Sequence, residues 1–186
     1  MTILRFIASV WLYVTLLPTV YLVTPILSLF TRPDFEVKER YSWGWIYGTH
    51  DNPPQGDRAW VSKHSPYPEG LDGWKGWVNR TGWLYRNKLY NLKLWLALTY
   101  QVNTLKEFVG DPNISDKYKV PGWLYVKVTE KGKTVGWEWY SVTPYSSGRC
   151  VRVRMGWKIK SDNFSSPGDK AQLVFTFNPF DGYGSK

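Results

Sequence analysis

A stretch without charged residues near the N-terminus limits the fold of this chain more than any other feature. After Arg5 no charged side chain occurs before Arg32, and residues 6–31 are mostly aliphatic or aromatic. A helix over this stretch would be ~39 Å long at ~1.5 Å per residue, which exceeds the ~30 Å hydrocarbon core of a bilayer. Pro18 and Pro25 interrupt the stretch, and membrane helices tolerate such interruptions. We predict an N-terminal transmembrane helix within residues 1–31.

Three alternatives to a membrane span remain open at this point, and one of them is a helix buried in a protein core, although such helices rarely run this long without a charge. A cleavable signal peptide has a shorter apolar region and small residues before the cut, and packing of the helix inside a larger complex would also hide it from water. For a spanning helix, the flanking charges set the orientation. One basic residue precedes the span, whereas Arg32, Lys38 and Arg40 follow it. We therefore expect the C-terminal domain in the cytoplasm.

The pattern of the remaining residues, 32–186, predicts one soluble α+β domain. The chain has 186 residues, a formal charge of +9, 12 Trp and a single Cys. The charge favours anionic partners. One cysteine excludes an internal disulfide framework, and we interpret Cys150 as a small residue packed in a sheet rather than as a nucleophile.

The soluble part contains two regions with different residue patterns. Residues 32–121 are rich in Trp, Pro and Gly, which predicts an irregular segment pinned by aromatic side chains, with a helix near residues 81–90. From residue 122 to residue 180, four alternating runs are separated by turn-forming residues, including "EKGK" at 130–133. This pattern predicts a four-stranded antiparallel meander.

The third predicted strand separates apolar from basic side chains. Val151, Val153, Met155, Trp157 and Ile159 share one parity, while Arg152, Arg154, Lys158 and Lys160 share the other. We expect the apolar set to face the core and the basic set to face water or anionic lipid headgroups. Single-stranded nucleic acid is a weaker candidate, because the Trp side chains share parity with the apolar set and would be buried.

The segment "WLYRNKLY", residues 83–90, places Arg86 and Lys88 between aromatic residues. We predict that these two cations contact lipid headgroups or another anion, with Trp83 and Tyr85 at the boundary between lipid and water. The alternative is that Arg86 pairs with a carboxylate at the edge of the core.

A polar loop, "HDNPPQGD", groups His50, Asp51, Asn52 and Asp57. Turn capping around the two prolines explains these residues, and a catalytic carboxylate pair is the alternative. The loop lacks the spacing of a calcium-binding EF loop, and two histidines are too few for a zinc site without added carboxylates. We expect no metal and no cofactor.

Several motifs, taken in order, resemble a family of tailed-bacteriophage proteins of unknown function. They are "DNPPQGD" at 51–57, "GWLYRNKLY" at 82–90, "GRCVRVRMGWKIK" at 148–160 and "FTFNPF" at 175–180, together with the apolar N-terminus. The resemblance implies a phage-encoded, membrane-associated protein and carries no known activity with it.

These observations predict a membrane-anchored, non-enzymatic protein in the host inner membrane. Its expected partners are the membrane, phage or host membrane proteins and, less strongly, nucleic acid; an oligomer is compatible with the sequence. One alternative is a virion component that enters the host membrane during DNA delivery. Another is a membrane-proximal enzyme using His50, Asp51 and Asp57.

Overall fold

A computed structural model describes residues 2–30, 44–49, 58–63, 73–99, 105–159 and 170–184. The described helices are α1 (Thr2–Leu27), α2 (Arg58–Lys63), α3 (Gly73–Arg86) and α4 (Tyr90–Trp95). The described strands are β1 (Leu98–Thr99), β2 (Leu105–Gly110), β3 (Gly122–Glu130), β4 (Lys133–Ser146), β5 (Arg149–Trp157), β6 (Lys170–Ala171) and β7 (Leu173–Gly182). The predicted α+β class, with a long apolar N-terminal helix before a compact domain, is confirmed.

The chain divides into two compact units. The sheet unit contains Met1–Val10 and Leu96–Lys186, and the helical unit contains Trp11–Trp95. Thus α1 contributes its first turns to one unit and the rest of its length to the other.

The sheet unit is built on a five-stranded antiparallel sheet with the order β2-β3-β4-β5-β7. The predicted hairpin at "EKGK" is confirmed: Glu130 pairs with Lys133, and Lys131 and Gly132 between them have φ of 49° and 74°. Two positive φ angles match the twist of the flanking strands. Strand β2, at the edge beside β3, is a fifth strand beyond the four that the sequence predicts.

One side of the sheet, the core face, carries the most deeply buried residues. Leu124, Val126 and Val128 of β3 are fully buried, and Tyr140 and Val142 of β4 lie in register beside them. These side chains join a core cluster that also contains Ile114, Ile159, Ala171 and Leu173.

The expected orientation of β5 is wrong for most of the strand. Arg152 and Arg154 pair in register with Val142 and Tyr140, so the two arginines lie on the core face. Val153 and Met155 lie on the opposite side, half-buried, while Trp157 and Ile159 are fully buried as expected. The physical reason is that carboxylates from other segments neutralise the arginines, so that this side of the sheet can be covered.

The opposite side of the sheet is mostly apolar and partly exposed, and we call it the aromatic face. Its defining residues are Val109, Trp123, Tyr125, Trp139, Val153, Met155, Phe175 and Phe177. Trp123 stacks on Trp139 with ring centroids 5.3 Å apart. Phe6 of α1 contacts Trp137 at one end of this side of the sheet.

A substitution at Gly156 in β5 tests how closely neighbouring strands of the sheet pack. Its φ is 102°, and a Cβ atom at this position would overlap the carbonyl oxygen of Trp137 on the neighbouring strand. Gly156→Ala combines a strained backbone conformation with this overlap, so we expect it to lower the free energy of unfolding by about 1–3 kcal/mol. Chemical denaturation measures the loss. Gly148→Ala is the control, because Gly148 has open space around its Cβ position, and an equal loss in both variants would contradict the interpretation.

The helical unit packs α3 against the C-terminal half of α1. The predicted helix near residues 81–90 starts earlier and ends earlier in the structure, at Gly73 and Arg86. Leu89 adopts a positive φ of 50° between α3 and α4, and this conformation ends the helical path. Trp83, predicted at a water boundary, is instead buried against Trp60, and its indole nitrogen lies 3.1 Å from Thr49 Oγ1.

Candidate functional site

Within the helical unit, α1 turns its more polar side toward protein and its apolar side outward. Val20, Thr24, Leu27 and Ser28 are buried, at a spacing of three to four residues. The exposed large apolar residues of α1 and the turn that follows it in this unit are Trp11, Val14, Tyr21, Leu22, Ile26, Leu29 and Phe30. We call this set the outward stripe. No charged residue occurs between residues 11 and 30.

Polar contacts hold the inward side of α1 in place. Ser28 Oγ lies 2.7 Å from Thr81 Oγ1, and Arg80 Nε donates to the carbonyl oxygen of Ser28 at 2.9 Å. Trp77 Nε1 donates to the carbonyl oxygen of Pro25 at 2.8 Å. Hydrogen bonds of this kind satisfy buried polar groups that would be costly in lipid. The inward side is therefore suited to protein and the outward stripe is not suited to water.

Pro25 interrupts the backbone hydrogen bonds of α1, and a side chain of α3 replaces the missing donor. Proline has no N–H, so the carbonyl oxygen of Tyr21 loses its usual helical donor. The hydroxyl of Tyr85 donates to that oxygen at 3.1 Å. The break in the helix ladder is thus repaired by a side chain of α3 at an exposed position.

A pair of tryptophans borders the C-terminal end of α1. Trp74 is 73% exposed and stacks on Trp77 with ring centroids 4.6 Å apart. Together with Ile26 and Leu29 they line an apolar groove of about 460 Å³. Tryptophans concentrate at the depth where lipid meets water, because the ring is apolar and the indole N–H is polar.

The predicted cations Arg86 and Lys88 lie in this unit. The Arg86 guanidinium lies over the rings of Trp60 and Trp83, at 5.7 and 5.9 Å from their centroids. Lys88 Nζ lies 5.8 Å from the ring centroid of Tyr21, a residue of the outward stripe. The structure brings Lys88 beside α1, and the predicted contact of both residues with an anion stays a prediction.

The other predicted site residues lie either in the sheet unit or outside the described residues. His50, Asp51, Asn52, Asp57 and Lys160 lie outside the described residues, so their roles stay predictions. Arg152, Arg154 and Lys158 lie in the sheet unit, far apart in sequence from Arg86 and Lys88. Their proposed contact with lipid or another anion also stays a prediction, but the structure gives the two arginines carboxylate partners.

The arginines belong to an ionic network on the core face. Arg154 Nε lies 2.5 Å from Glu138 Oε1, and the Glu138 side chain is fully buried. Arg152 Nη1 lies 3.1 Å from Asp116 Oδ2, and its Nε lies 2.7 Å from Asp181 Oδ2. The Tyr140 hydroxyl donates to Asp116 Oδ1 at 2.5 Å. Three carboxylates from three segments therefore hold the two arginines inside the sheet unit.

Burial and contacts in this network shift the pKa values of Asp116, Tyr140 and Lys158. Burial would raise the pKa of Asp116, but the hydrogen bond from Tyr140 and the charge of Arg152 outweigh burial and lower this pKa. Burial, followed by the hydrogen bond to Asp116, raises the pKa of Tyr140. Burial, followed by the charges of Arg154 and Arg152, lowers the pKa of Lys158. These directions describe a structural network in which Asp116 is charged and Tyr140 is neutral.

Cys150 is buried beside this network. Its Sγ atom lies 3.8 Å from the carbonyl oxygen of Gly182. Burial, followed by the charges of Asp181 and Asp116, raises the pKa of its thiol. A nucleophilic thiol requires the opposite shift, so the expected structural role of Cys150 is consistent with its surroundings. Among the described residues, no cluster of His, Cys, Asp and Glu is arranged to hold a metal ion.

Asp116 makes a pH-dependent contribution that can be measured. Because its pKa is lower in the folded state than its ordinary value of 3.8, the contribution is complete above that value and is lost as the pH falls through the folded-state pKa. We expect Asp116→Asn to lower the free energy of unfolding by about 1–3 kcal/mol at neutral pH, the cost of losing charged hydrogen bonds. The difference from the unmodified protein should shrink below about pH 4. Urea denaturation across this range measures it, and a constant difference would contradict it.

Sequence reasoning missed two features of these surfaces. It placed Trp139 and Val153 in the core, whereas the register puts them on the aromatic face. It also made no distinction between the sides of α1, whereas Thr24 and Ser28 lie on a buried side in the structure.

The comparisons with known proteins give a family and no activity. No curated protein and no solved structure is significantly similar to the chain. A family model described as "Family of unknown function (DUF7338)" matches residues 1–185. The match covers both units and nearly every residue, so the chain belongs to this family of unknown function, DUF7338.

Proposed function

We propose that this protein is held at a membrane by α1 and acts there by binding other proteins rather than by catalysis. The observation that carries the proposal is the outward stripe. Residues such as Leu22, 75% exposed, and Trp11, 70% exposed, face away from the protein while polar side chains of the same helix face inward. A soluble helix has the opposite arrangement.

The proposal specifies how α1 meets lipid. In this arrangement the helix embeds its outward stripe in lipid while its inward side stays on protein. A spanning helix surrounded by lipid, which the sequence predicts, would lose the contact between Ser28 and Thr81. The helix is long and apolar enough to span, so an experiment must separate the two arrangements.

We also propose where in the cell the protein acts. The resemblance to tailed-phage proteins supports a phage-encoded protein at the host inner membrane. The basic residues that follow α1 in sequence are Arg32, Lys38 and Arg40. Basic segments beside a membrane are attracted to the anionic cytoplasmic leaflet, which supports a C-terminal domain on the cytoplasmic side. A virion component that reaches the membrane during DNA delivery is the alternative, and mass spectrometry of purified particles distinguishes them by the presence of stoichiometric copies.

Fractionation of cells that express the full chain tests the proposal. We expect the intact chain in the membrane fraction after an alkaline carbonate wash. Recovery of the intact chain in the soluble fraction would contradict the anchor. Recovery of a chain that lacks its first residues would identify α1 as a cleaved signal sequence instead.

Single cysteines near the two ends of α1 separate the two membrane arrangements. Thr2 lies at the N-terminal end of α1, and exposed Lys75 lies in α3, which follows α1 in the chain. Both residues lie outside the outward stripe, so Thr2→Cys and Lys75→Cys can be labelled by a membrane-impermeant maleimide. Labelling of both from the same side of the membrane supports an embedded surface helix. Labelling from opposite sides supports a spanning helix. The buried thiol of Cys150 is the internal control for selective labelling.

A further inference from the structure

Lysines lie beside α1 in the helical unit, and burial of the outward stripe in lipid does not by itself explain them. Lys88 Nζ lies 5.8 Å from the ring centroid of Tyr21, and Lys93 Nζ lies 5.9 Å from that of Tyr13. Lys75 is exposed in the first turn of α3, whose tryptophans line the apolar groove at the C-terminal end of α1. Basic side chains therefore border α1 at several points along its length.

We propose that Lys75 and Lys88 bind the phosphate groups of anionic lipids, so that the helical unit prefers anionic membranes to zwitterionic ones. The proposal rests on membrane anchoring by α1, because the lysines reach lipid headgroups only when the outward stripe is in lipid. A lysine in this position keeps its aliphatic stem on apolar surface while its ammonium group stays in the headgroup layer. Each basic residue held at an anionic leaflet strengthens binding about fivefold.

The charged side chains in the described part of the helical unit are all basic. Its described segments contain Arg and Lys but neither Asp nor Glu, and the acidic residues of 11–95 all lie outside those segments. Among the described residues of this unit, no carboxylate is thus available to pair with Lys75 or Lys88. Phosphate groups of lipids supply the complementary charge.

The spacing of the lysines fits a helix that lies along the membrane surface. Tyr13 and Tyr21 are ~12 Å apart along α1, and each has a lysine beside its ring. A helix parallel to the surface places both lysines at the depth of the headgroups. Because Tyr13 is near the middle of α1, a spanning helix would instead place Lys93 near the centre of the hydrocarbon, where a charged side chain is costly.

The apolar neighbours of the lysines favour a lipid over a dissolved anion. Leu22 and Ile26 of the outward stripe are 75% and 59% exposed. A dissolved phosphate would neutralise a lysine but leave these aliphatic side chains in water, and nucleic acid bases stack on aromatic side chains. A phospholipid brings phosphate and hydrocarbon to the same place, so it matches both the charge and the apolar surface.

Flotation of the full chain with two kinds of vesicle tests the proposal. One kind is phosphatidylcholine alone, and the other is a mixture of phosphatidylcholine and phosphatidylglycerol. Lys75→Gln combined with Lys88→Gln should weaken binding to the mixed vesicles about twenty-fivefold, or fivefold for each lysine, and leave binding to phosphatidylcholine unchanged. Lys75→Arg combined with Lys88→Arg keeps both charges and should bind the mixed vesicles as the unmodified chain does.

Lys117→Gln combined with Lys131→Gln is the matched control, because both lysines are exposed in the sheet unit and the change in net charge is the same. This variant should keep the preference for the mixed vesicles. Equal weakening by the two glutamine double variants would show that net charge alone attracts the chain, and it would overturn the proposal. Near-ultraviolet circular dichroism checks that the variants remain folded.

Failure of headgroup binding and failure of the anchor give different results. If the unmodified chain binds both kinds of vesicle equally tightly, the anchor stands and the lysine proposal is overturned. If it binds neither kind, both are overturned. If the variant with glutamine at Lys75 and Lys88 keeps its lipid preference but binds a single-stranded oligonucleotide more weakly, the lysines serve nucleic acid and the proposal is again overturned.

Discussion

Arg154→Met is expected to lower the free energy of unfolding by about 3–5 kcal/mol, the typical loss when one partner of a buried ion pair is removed. Arg154 lies 2.5 Å from Glu138, whose side chain is fully buried, while the arginine side chain itself is 19% exposed. Methionine keeps much of the aliphatic volume but leaves the buried carboxylate without this guanidinium. The free energy from urea denaturation, monitored by tryptophan fluorescence, measures the loss.

Lys127→Met provides the matched control for this prediction. Lys127 pairs with Glu107 at 3.1 Å, but the two side chains are 36% and 47% exposed. Exposed pairs contribute at most ~1 kcal/mol, so this variant should change stability little. Adding Glu138→Leu to Arg154→Met should recover part of the loss, because it removes the buried carboxylate that Arg154 neutralised. Equal losses for Arg154→Met and Lys127→Met would show that the network is not a buried one.

The second large effect concerns the outward stripe. Leu22→Glu combined with Ile26→Glu is expected to weaken binding of the full chain to lipid vesicles at least about hundredfold. Burial of each such side chain contributes ~1.5–3 kcal/mol, and every ~1.4 kcal/mol corresponds to a factor of ten in affinity. The two residues are 75% and 59% exposed, so the change should not disturb the packing of α1. Vesicle flotation measures the bound fraction.

Trp95→Glu is the control for vesicle binding, because Trp95 is a 66% exposed aromatic residue on α4 rather than on α1. It should keep most of the binding. If the α1 double variant bound vesicles as well as the unmodified chain does, a role for the outward stripe in lipid contact would be excluded.

The sequence predicted the strands of the sheet better than it predicted which side of the sheet is buried. Alternation over residues 122–180 indicated the strands and the turn at Lys131 and Gly132, because these are local patterns. It also sorted the residues of β5 into two sets. It could not show that the set with Arg152 and Arg154 lies on the core face, since Asp116 and Asp181 are about thirty residues away in either direction and become partners only in the folded sheet.

The helical unit was harder to predict for a different reason. Helix α3 contains Gly76 and Gly82 and several Trp residues, so its intrinsic helix propensity is weak. Its stability comes from packing, for example of Trp83 against Trp60 and of Thr81 against Ser28. A single sequence does not show such contacts. For α1, length and lack of charge identified the helix, but only the packed structure shows which side faces outward.

The most direct test of membrane anchoring by α1 is the environment of its outward stripe in a bilayer. A nitroxide label at Leu22→Cys can be read by electron paramagnetic resonance with oxygen and with a water-soluble nickel chelate as relaxing agents. We predict strong relaxation by oxygen and protection from the chelate, which together indicate lipid. A label on Tyr118→Cys, in the sheet unit, should show the reverse. Strong relaxation by the chelate at Leu22 in membrane-bound protein would mean that the stripe faces water, and it would contradict the proposed anchor.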